Sequence, residues 1–209
     1  MENIDRIFFI NLDRRTDRLE EITKELKTYN FPNDKIERFS AIEFQKDGRG
    51  EEGAIGCSMS HLEILKISLK KGYENILVLE DDFKFIVDKE NFNKNLTEFF
   101  RRYKNNYDSV MLSYNLKEFK EKDELVGYVK KAQTTSGFII NKNLLPELIN
   151  TIEEGIKNLI NTREHWKYSI DVCWFPLQKK KEWFYFKERM GVQRPSYSDC
   201  SQRFCNYMI

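Results

Sequence analysis

Three consecutive carboxylates, Glu80, Asp81 and Asp82, follow directly on the apolar run Asn75-Ile76-Leu77-Val78-Leu79. Adjacent carboxylates repel one another, so a site built from them needs a compensating charge. A divalent cation supplies it, and hard carboxylate oxygens suit Mg²⁺ or Mn²⁺ rather than zinc. An acidic triplet also reads as a solvated turn. Position after a buried strand favours the functional reading, because ligands of open α/β sheets bind outside the carboxyl ends of the strands.

Several chemistries are narrowed by what the chain lacks. A phosphatase would place a nucleophilic Asp after the first strand, but that strand runs into Asn11-Leu12-Asp13-Arg14-Arg15, with no Asp-x-Asp. No GxxxxGK[ST] loop is present, which excludes P-loop chemistry. His61 and His165 are the only histidines, and neither lies near a G-x-S-x-G, so no Ser-His-Asp order is compelling.

The acids must be carried by a scaffold, and its elements are legible. Arg6 to Leu12 reads as a buried strand. Leu19, Ile22, Leu26 and Tyr29 then mark one face of a helix, with Asp13 as its N-cap and Pro32 as the stop. Ile36 to Ile42 is a second strand, and Gln45 to Gly53, with three glycines and many charges, is a mobile loop. Ile55, Met59, Leu62, Leu65 and Leu69 mark a second helix closed by Gly72. Phe92, Leu96, Phe99, Phe100 and Tyr103 mark a third, and Leu144 to Leu159 a fourth, with Pro146 in its first turn. Ser109–Tyr114, Gly137–Ile140 and Trp183–Phe186 read as strands, and the chain after Met190 as irregular. This alternation predicts an α/β sandwich with a mainly parallel central sheet. Lys179 to Lys181 reads as a solvated helix end, with a phosphate or anionic-partner patch as the alternative.

The chain has 209 residues, which fits one domain over 1–209. Lys plus Arg is 35 against 34 for Asp plus Glu, so no bulk positive field exists and no nucleic-acid partner is expected. No apolar stretch approaches the roughly 18 residues of a membrane span. The opening residues Glu2, Asp5 and Arg6 do not form a secretory signal, so the expected setting is cytoplasmic. Cys57, Cys173, Cys200 and Cys205 are scattered, with no Cys-x-x-Cys pair and no zinc-site spacing. Reduced thiols are the default, and Cys200 could pair with Cys205 in an oxidising compartment.

Phe8-Phe9-Ile10-Asn11-Leu12-Asp13-Arg14-Arg15-Thr16-Asp17-Arg18 resembles the opening motif of glycosyltransferase family 25, which includes lipopolysaccharide and procollagen galactosyltransferases. Gly53-Ala54-Ile55-Gly56-Cys57-Ser58-Met59-Ser60-His61 resembles its GxxGCxxSH helix start, and Leu77-Val78-Leu79-Glu80-Asp81-Asp82 its LxLEDD metal motif. Thr135 to Ile140, Ile170-Asp171 and Ser198-Asp199 resemble three later, weaker motifs. The resemblance implies a GT-A-like fold, a Mn²⁺- or Mg²⁺-bound UDP-sugar and an inverting transfer.

It implies roles residue by residue. Asp82, then Asp81, would ligate the metal, and Glu80 would orient the turn or bond the donor. Asn11, Leu12, Arg15 and Arg18 would hold the uridine and diphosphate, with salt bridges to Glu20, Glu21 or another surface acid as the alternative for the arginines. His61 would meet the donor or bond a loop carbonyl. Asp171 is the implied general base, with an ordinary helix N-terminal Asp stabilised by the helix dipole as the alternative, and it is followed by Trp174 and Phe175, aromatics of a kind that lines sugar sites. Gln193, Ser198 and Asp199 would complete the metal or diphosphate shell. The expected activity moves galactose or glucose from UDP to a glycan hydroxyl or a hydroxylysine-type protein hydroxyl. The alternatives are a metal-dependent phosphohydrolase of nucleotide sugars and an inactive sugar- or protein-binding domain.

Overall fold

A computed structural model describes residues 2–45, 47–104, 106–198 and 203–206. In chain order the elements are β1 (Arg6–Asn11), α1 (Thr16–Thr28), β2 (Ile36–Ser40), α2 (Glu52–Lys71), β3 (Asn75–Glu80), β4 (Phe83–Phe85), α3 (Lys89–Tyr103) and β5 (Ser109–Met111). There follow β6 (Asn115–Glu121), β7 (Val126–Gln133), β8 (Gly137–Asn141), α4 (Leu145–Thr162), α5 (His165–Tyr168), α6 (Ile170–Cys173), α7 (Phe175–Lys180), β9 (Trp183–Phe186), β10 (Gly191–Gln193), β11 (Ser196–Ser198) and β12 (Arg203–Cys205).

The fold is mixed α/β, with helices on both faces of a central sheet ordered β2-β1-β3-β8-β5-β9-β7-β6. Pairing directions set β8 and β7 against the other strands, which all run one way. Side chains of a strand alternate between faces, and β1 shows the consequence. Ile7 and Phe9 join Ile22 and Leu26 of α1 and Phe92, Leu96 and Phe99 of α3 in one core. Phe8 and Ile10 join Leu62 and Leu65 of α2 and Leu148 and Ile152 of α4 in the other.

Several boundaries differ from the sequence reading. Asp13 does not cap α1; Arg15 occupies that position, and Asp13 pairs with Arg38 at 2.6 Å. The Gln45–Gly53 loop is shorter than expected, since α2 starts at Glu52, and Lys46 lies outside the described residues. The β6–β7 hairpin is new: its first strand is largely exposed and charged, so it carries no apolar run to reveal it. The segment after Met190 is not irregular, because β10 pairs with β4 and β11 with β12. Cys200 and Asp199 lie outside the described residues.

Gly56 marks a close approach. A Cβ there would stand 2.3 Å from the Ile42 carbonyl oxygen, and Ser60 one turn on accepts from the Ile42 amide at 2.8 Å. The helix is thus stitched against the segment after β2. Gly56→Ala should force that segment away and cost about 1–3 kcal/mol, as overpacking does. Urea denaturation checks this, and an unchanged midpoint would remove the packing reason for glycine.

Candidate active site

The sheet order places a switch point between β1 and β3. The chain leaves β1 for β2 on one side and returns to β3 on the other. Open α/β sheets bind ligands at such a point, outside the carboxyl ends of the strands. Asn11 ends β1 and Glu80 ends β3, so the two expected motifs meet there. They open onto a cleft of about 1070 Å³, lined among others by Leu12, Arg18, Glu80, Asp81, Asp82 and Gln193.

The carboxylates are not a solvated turn. Asp81 and Asp82 are buried at 6% and 5% exposure, and each is held by named partners. Asn11 Nδ2 donates to Asp81 Oδ2 at 2.8 Å, and Arg18 Nη1 donates to Asp81 Oδ1 at 2.8 Å. The same guanidinium nitrogen stands 3.4 Å from Asp82 Oδ2, to which Gln193 Nε2 donates at 3.0 Å. Asp82 Oδ1 is buried without a hydrogen-bond partner. Arg38 fixes the Asn11 amide by donating to its Oδ1 at 2.9 Å, so the Nδ2 is left to face Asp81.

Burial raises the Asp81 carboxyl above the ordinary range, against the Arg18 charge and the Asn11 hydrogen bond. Burial and the Glu80 charge push Asp82 up to about 7, against Arg18 and Gln193. Glu80 goes the other way. Burial opposes its ionisation, but the His61 and Thr135 hydrogen bonds and the His61 and Arg18 charges together hold its carboxyl below the usual range. His61 Nε2 lies 3.0 Å from Glu80 Oε1, and Thr135 Oγ1 donates to the same oxygen at 2.6 Å. His61 therefore meets a motif acid rather than a loop carbonyl.

The arginines divide. Arg18 takes the motif acids in place of Glu20 or Glu21, and its Nη2 also donates to the Tyr197 carbonyl at 2.8 Å and to Ser196 Oγ at 2.6 Å. Arg15 pairs with Asp17 at 2.8 Å and donates to the Tyr197 carbonyl at 3.3 Å, off the cleft lining. The tail is thus drawn to the site. Gln193 touches Asp82, the Arg194 amide donates to the Asp82 carbonyl at 2.6 Å, and Ser198 lies in β11.

Asp171 sits on α6, outside the cleft lining. Ser169 Oγ donates to its Oδ1 at 2.9 Å, and Gln133 Nε2 lies 3.4 Å from Oδ2. Burial raises its carboxyl, Ser169 and the Thr134 backbone oppose this, and the Glu80 charge adds to it. Trp174 is not a sugar platform: it is fully buried, packs edge-on against Phe138 and Trp183, and donates to the Ala132 carbonyl at 3.1 Å.

Residues missed by sequence reasoning lie between these acids. Thr134 is buried and left-handed at φ 82°, unusual for a β-branched residue, and bridges the end of β7 to Thr135. That turn brings the Thr134 backbone to Asp171 and the Thr135 hydroxyl to Glu80. Only a polar Gln-Thr-Thr-Ser stretch before a strand marked it in the sequence. Arg38, Ser196 and Tyr197 carried no signal of their own.

The orphaned oxygen and raised carboxyl of Asp82, beside Asp81, fit a hard divalent cation. Among the described residues no helix is long and apolar enough to cross a membrane.

The family model described as glycosyltransferase family 25 (LPS biosynthesis protein) matches residues 4–174. A protein of Acanthamoeba polyphaga mimivirus, named as a glycosyltransferase, is 33% identical over 114 residues, covering 47% of this chain and 33% of that protein. A glycosyltransferase 25 family member of Drosophila melanogaster is 27% identical over 141 residues, covering 58% of this chain and 22% of that protein. The chain aligns to a minor part of each relative's own length. Among solved structures, a glycosyltransferase involved in glycosylating the major capsid of PBCV-1 is 13% identical with a TM-score of 0.46, covering 87% of this chain and 92% of that one. The mannose-1-phosphate geranyltransferase of Thermus thermophilus is 11% identical with a TM-score of 0.49, covering 92% and 74%. Likeness at that level bears on neither substrate nor mechanism.

Proposed function

The chain belongs to glycosyltransferase family 25, and from that premise we propose that it is an inverting transferase moving galactose or glucose from UDP to a hydroxyl of a glycan or of a hydroxylysine-type protein acceptor. The observation that carries the reading is the Asp82 carboxylate, buried at the switch point with one oxygen unpartnered, on a cleft of about 1070 Å³. A cleft of that size is ample for a nucleotide sugar. Asp82 and Asp81 would hold Mn²⁺ or Mg²⁺, which when bound acts as a Lewis acid on the diphosphate leaving group. Arg18 pairs with both acids, and a bound cation would take the place of the proton that Asp82 otherwise keeps up to about 7. Asn11 and Gln193 fix the carboxylate planes, and Leu12 supplies apolar wall to the donor.

Inversion is a direct displacement. The acceptor oxygen forms its bond to the sugar's anomeric carbon as the bond to UDP breaks, and the acceptor proton goes to a base on the face away from UDP. Asp171 is that base in this reading. Its raised carboxyl is a better proton acceptor than an ordinary one, and Ser169 and Gln133 orient it. Asp171→Asn should lower turnover by about 10²-fold or more, with donor affinity nearly unchanged. Weakened UDP-sugar binding with intact turnover would make Asp171 a donor ligand.

The test of the whole reading is UDP release over a panel of nucleotide sugars, with and without Mn²⁺ and hydroxyl acceptors. Acceptor-dependent, Mn²⁺-dependent release from a UDP-hexose supports it. Acceptor-independent cleavage would make the protein a phosphohydrolase, and binding without turnover would make it a binding domain; either result overturns the proposal.

A further inference from the structure

Cys57, His61 and Glu80 meet beside the acidic pair without being part of it. Cys57 and His61 are four residues apart, so they project from the same face of α2, one turn from each other. Glu80 faces them from the end of β3. Cys57 Sγ lies 3.7 Å from Glu80 Oε1 and His61 Nε2 lies 3.0 Å from it, and all three donor atoms fall within 4.8 Å of one another. Cys57 and Glu80 also line the cleft.

That spacing is close to what a tetrahedral ion demands. Zinc bonds of about 2.3 Å to sulfur and 2.0–2.2 Å to nitrogen and oxygen place neighbouring ligand atoms roughly 3.3–3.6 Å apart. The three donors need to move by less than about 1 Å to meet it. The donor set is one thiol, one imidazole and one carboxylate, which selects zinc-class ions over Mg²⁺ or Mn²⁺. Thr135, donating to Glu80, supplies the outer hydrogen bond that orients a ligating carboxylate. His61 is buried at 1% exposure and stacked on Phe138, so its ring is already held in place.

We infer that Cys57, His61 and Glu80 form a second metal site, specific for a zinc-class ion, with a fourth position open to the cleft. Binding replaces the His61–Glu80 hydrogen bond with metal bonds: His61 gives up the proton on Nε2 and ligates as a neutral ring protonated on Nδ1, and the Cys57 thiol proton leaves to solvent. The inference goes beyond the transferase reading and does not depend on it.

The experiment is a Co²⁺ titration of the whole chain in excess Mg²⁺, which fills the hard-oxygen site. The expected result is one Co²⁺ per chain with a near-ultraviolet thiolate-to-cobalt charge-transfer band, displaced by zinc. Cys57→Ser should remove the band and weaken zinc binding at least about tenfold, the size of effect that loss of even an outer-shell partner brings; Cys173→Ser should leave both unchanged. A second measurement needs no variant: zinc, but not Mg²⁺, should protect Cys57 from alkylation, read by peptide mass. Absence of the band in the wild-type chain, its survival in Cys57→Ser, or full alkylation of Cys57 at saturating zinc would each overturn the inference. UDP release is not the readout, so failure here is separable from failure of the transferase proposal.

Discussion

Asp82→Asn should lower turnover by about 10³-fold or more, because a cation at the leaving diphosphate supplies several kcal/mol of charge stabilisation. The same substitution should leave the metal-free fold intact or strengthened, and the pH dependence says why. An unfolded aspartate ionises near 3.8, whereas native Asp82 keeps its proton up to about 7. Across that window the native state binds the extra proton, so stability from this group is present below 3.8 and is lost as pH rises through about 7. The cause is burial together with the Glu80 charge. Asparagine carries no charge to bury and can still accept from Gln193. At about pH 8 the metal-free variant should therefore match or exceed the wild type in thermal midpoint. Mn²⁺ should raise the wild-type midpoint more at about pH 8 than at about pH 5.5, since the proton must leave before the metal binds, and should do little for the variant. Full turnover of Asp82→Asn at saturating Mn²⁺ would end the assignment of Asp82 as metal ligand.

Arg18→Ala should be the most destabilising single change at the site. Arg18 is buried and lies between two buried carboxylates, with 2.8 Å to Asp81 and 3.4 Å to Asp82. Removing one partner of a buried ion pair costs about 3–5 kcal/mol, because the remaining charge is left uncompensated. The change also cuts the hydrogen bonds to Ser196 and the Tyr197 carbonyl, which hold the tail against α1. Urea denaturation in the absence of metal should show the full loss. Adding Mn²⁺ should recover part of it, since a cation can replace the lost guanidinium charge. A loss under about 1 kcal/mol, the range of an exposed pair, would mean that Arg18 does not balance the acids. Arg15→Ala is the internal contrast. Its pair with Asp17 is at the surface, Asp17 being mostly exposed, so little stability should change.

The opening strand, the four long helices and the acidic turn were legible in the residues alone. Each is a local pattern: a run of Ile and Phe in β1, helical spacing from Leu19 to Tyr29 in α1, three acids closing β3. Burial of those apolar stripes on one scaffold forces the α/β layering, and the layering puts Asn11 beside Asp81. Hydrophobic periodicity acts over a few residues and survives without knowledge of the rest of the chain. What it does not carry is the pairing of polar groups distant in sequence. The same Arg18 could have met Glu21 one turn along its helix; only the sheet order, with β3 next to β1, brings Asp81 within reach, 63 residues away. The β6–β7 hairpin was invisible because β6 is exposed and charged and gives no apolar signal, while the buried Val126, Val129 and Ala132 of β7 are three apart rather than alternating. Trp174 looked like a sugar platform and proved to be core, since burial depends on what packs against it rather than on residue type. Cys57, scattered among four cysteines with no zinc spacing, gains His61 from its own helix and Glu80 from the end of β3. Sequence determined which side chains could do chemistry, through their types and the faces their local periods assign. Tertiary structure decided which of them share a charge, a proton or an ion, because those energies depend on distances of a few ångströms between segments that the chain itself keeps far apart.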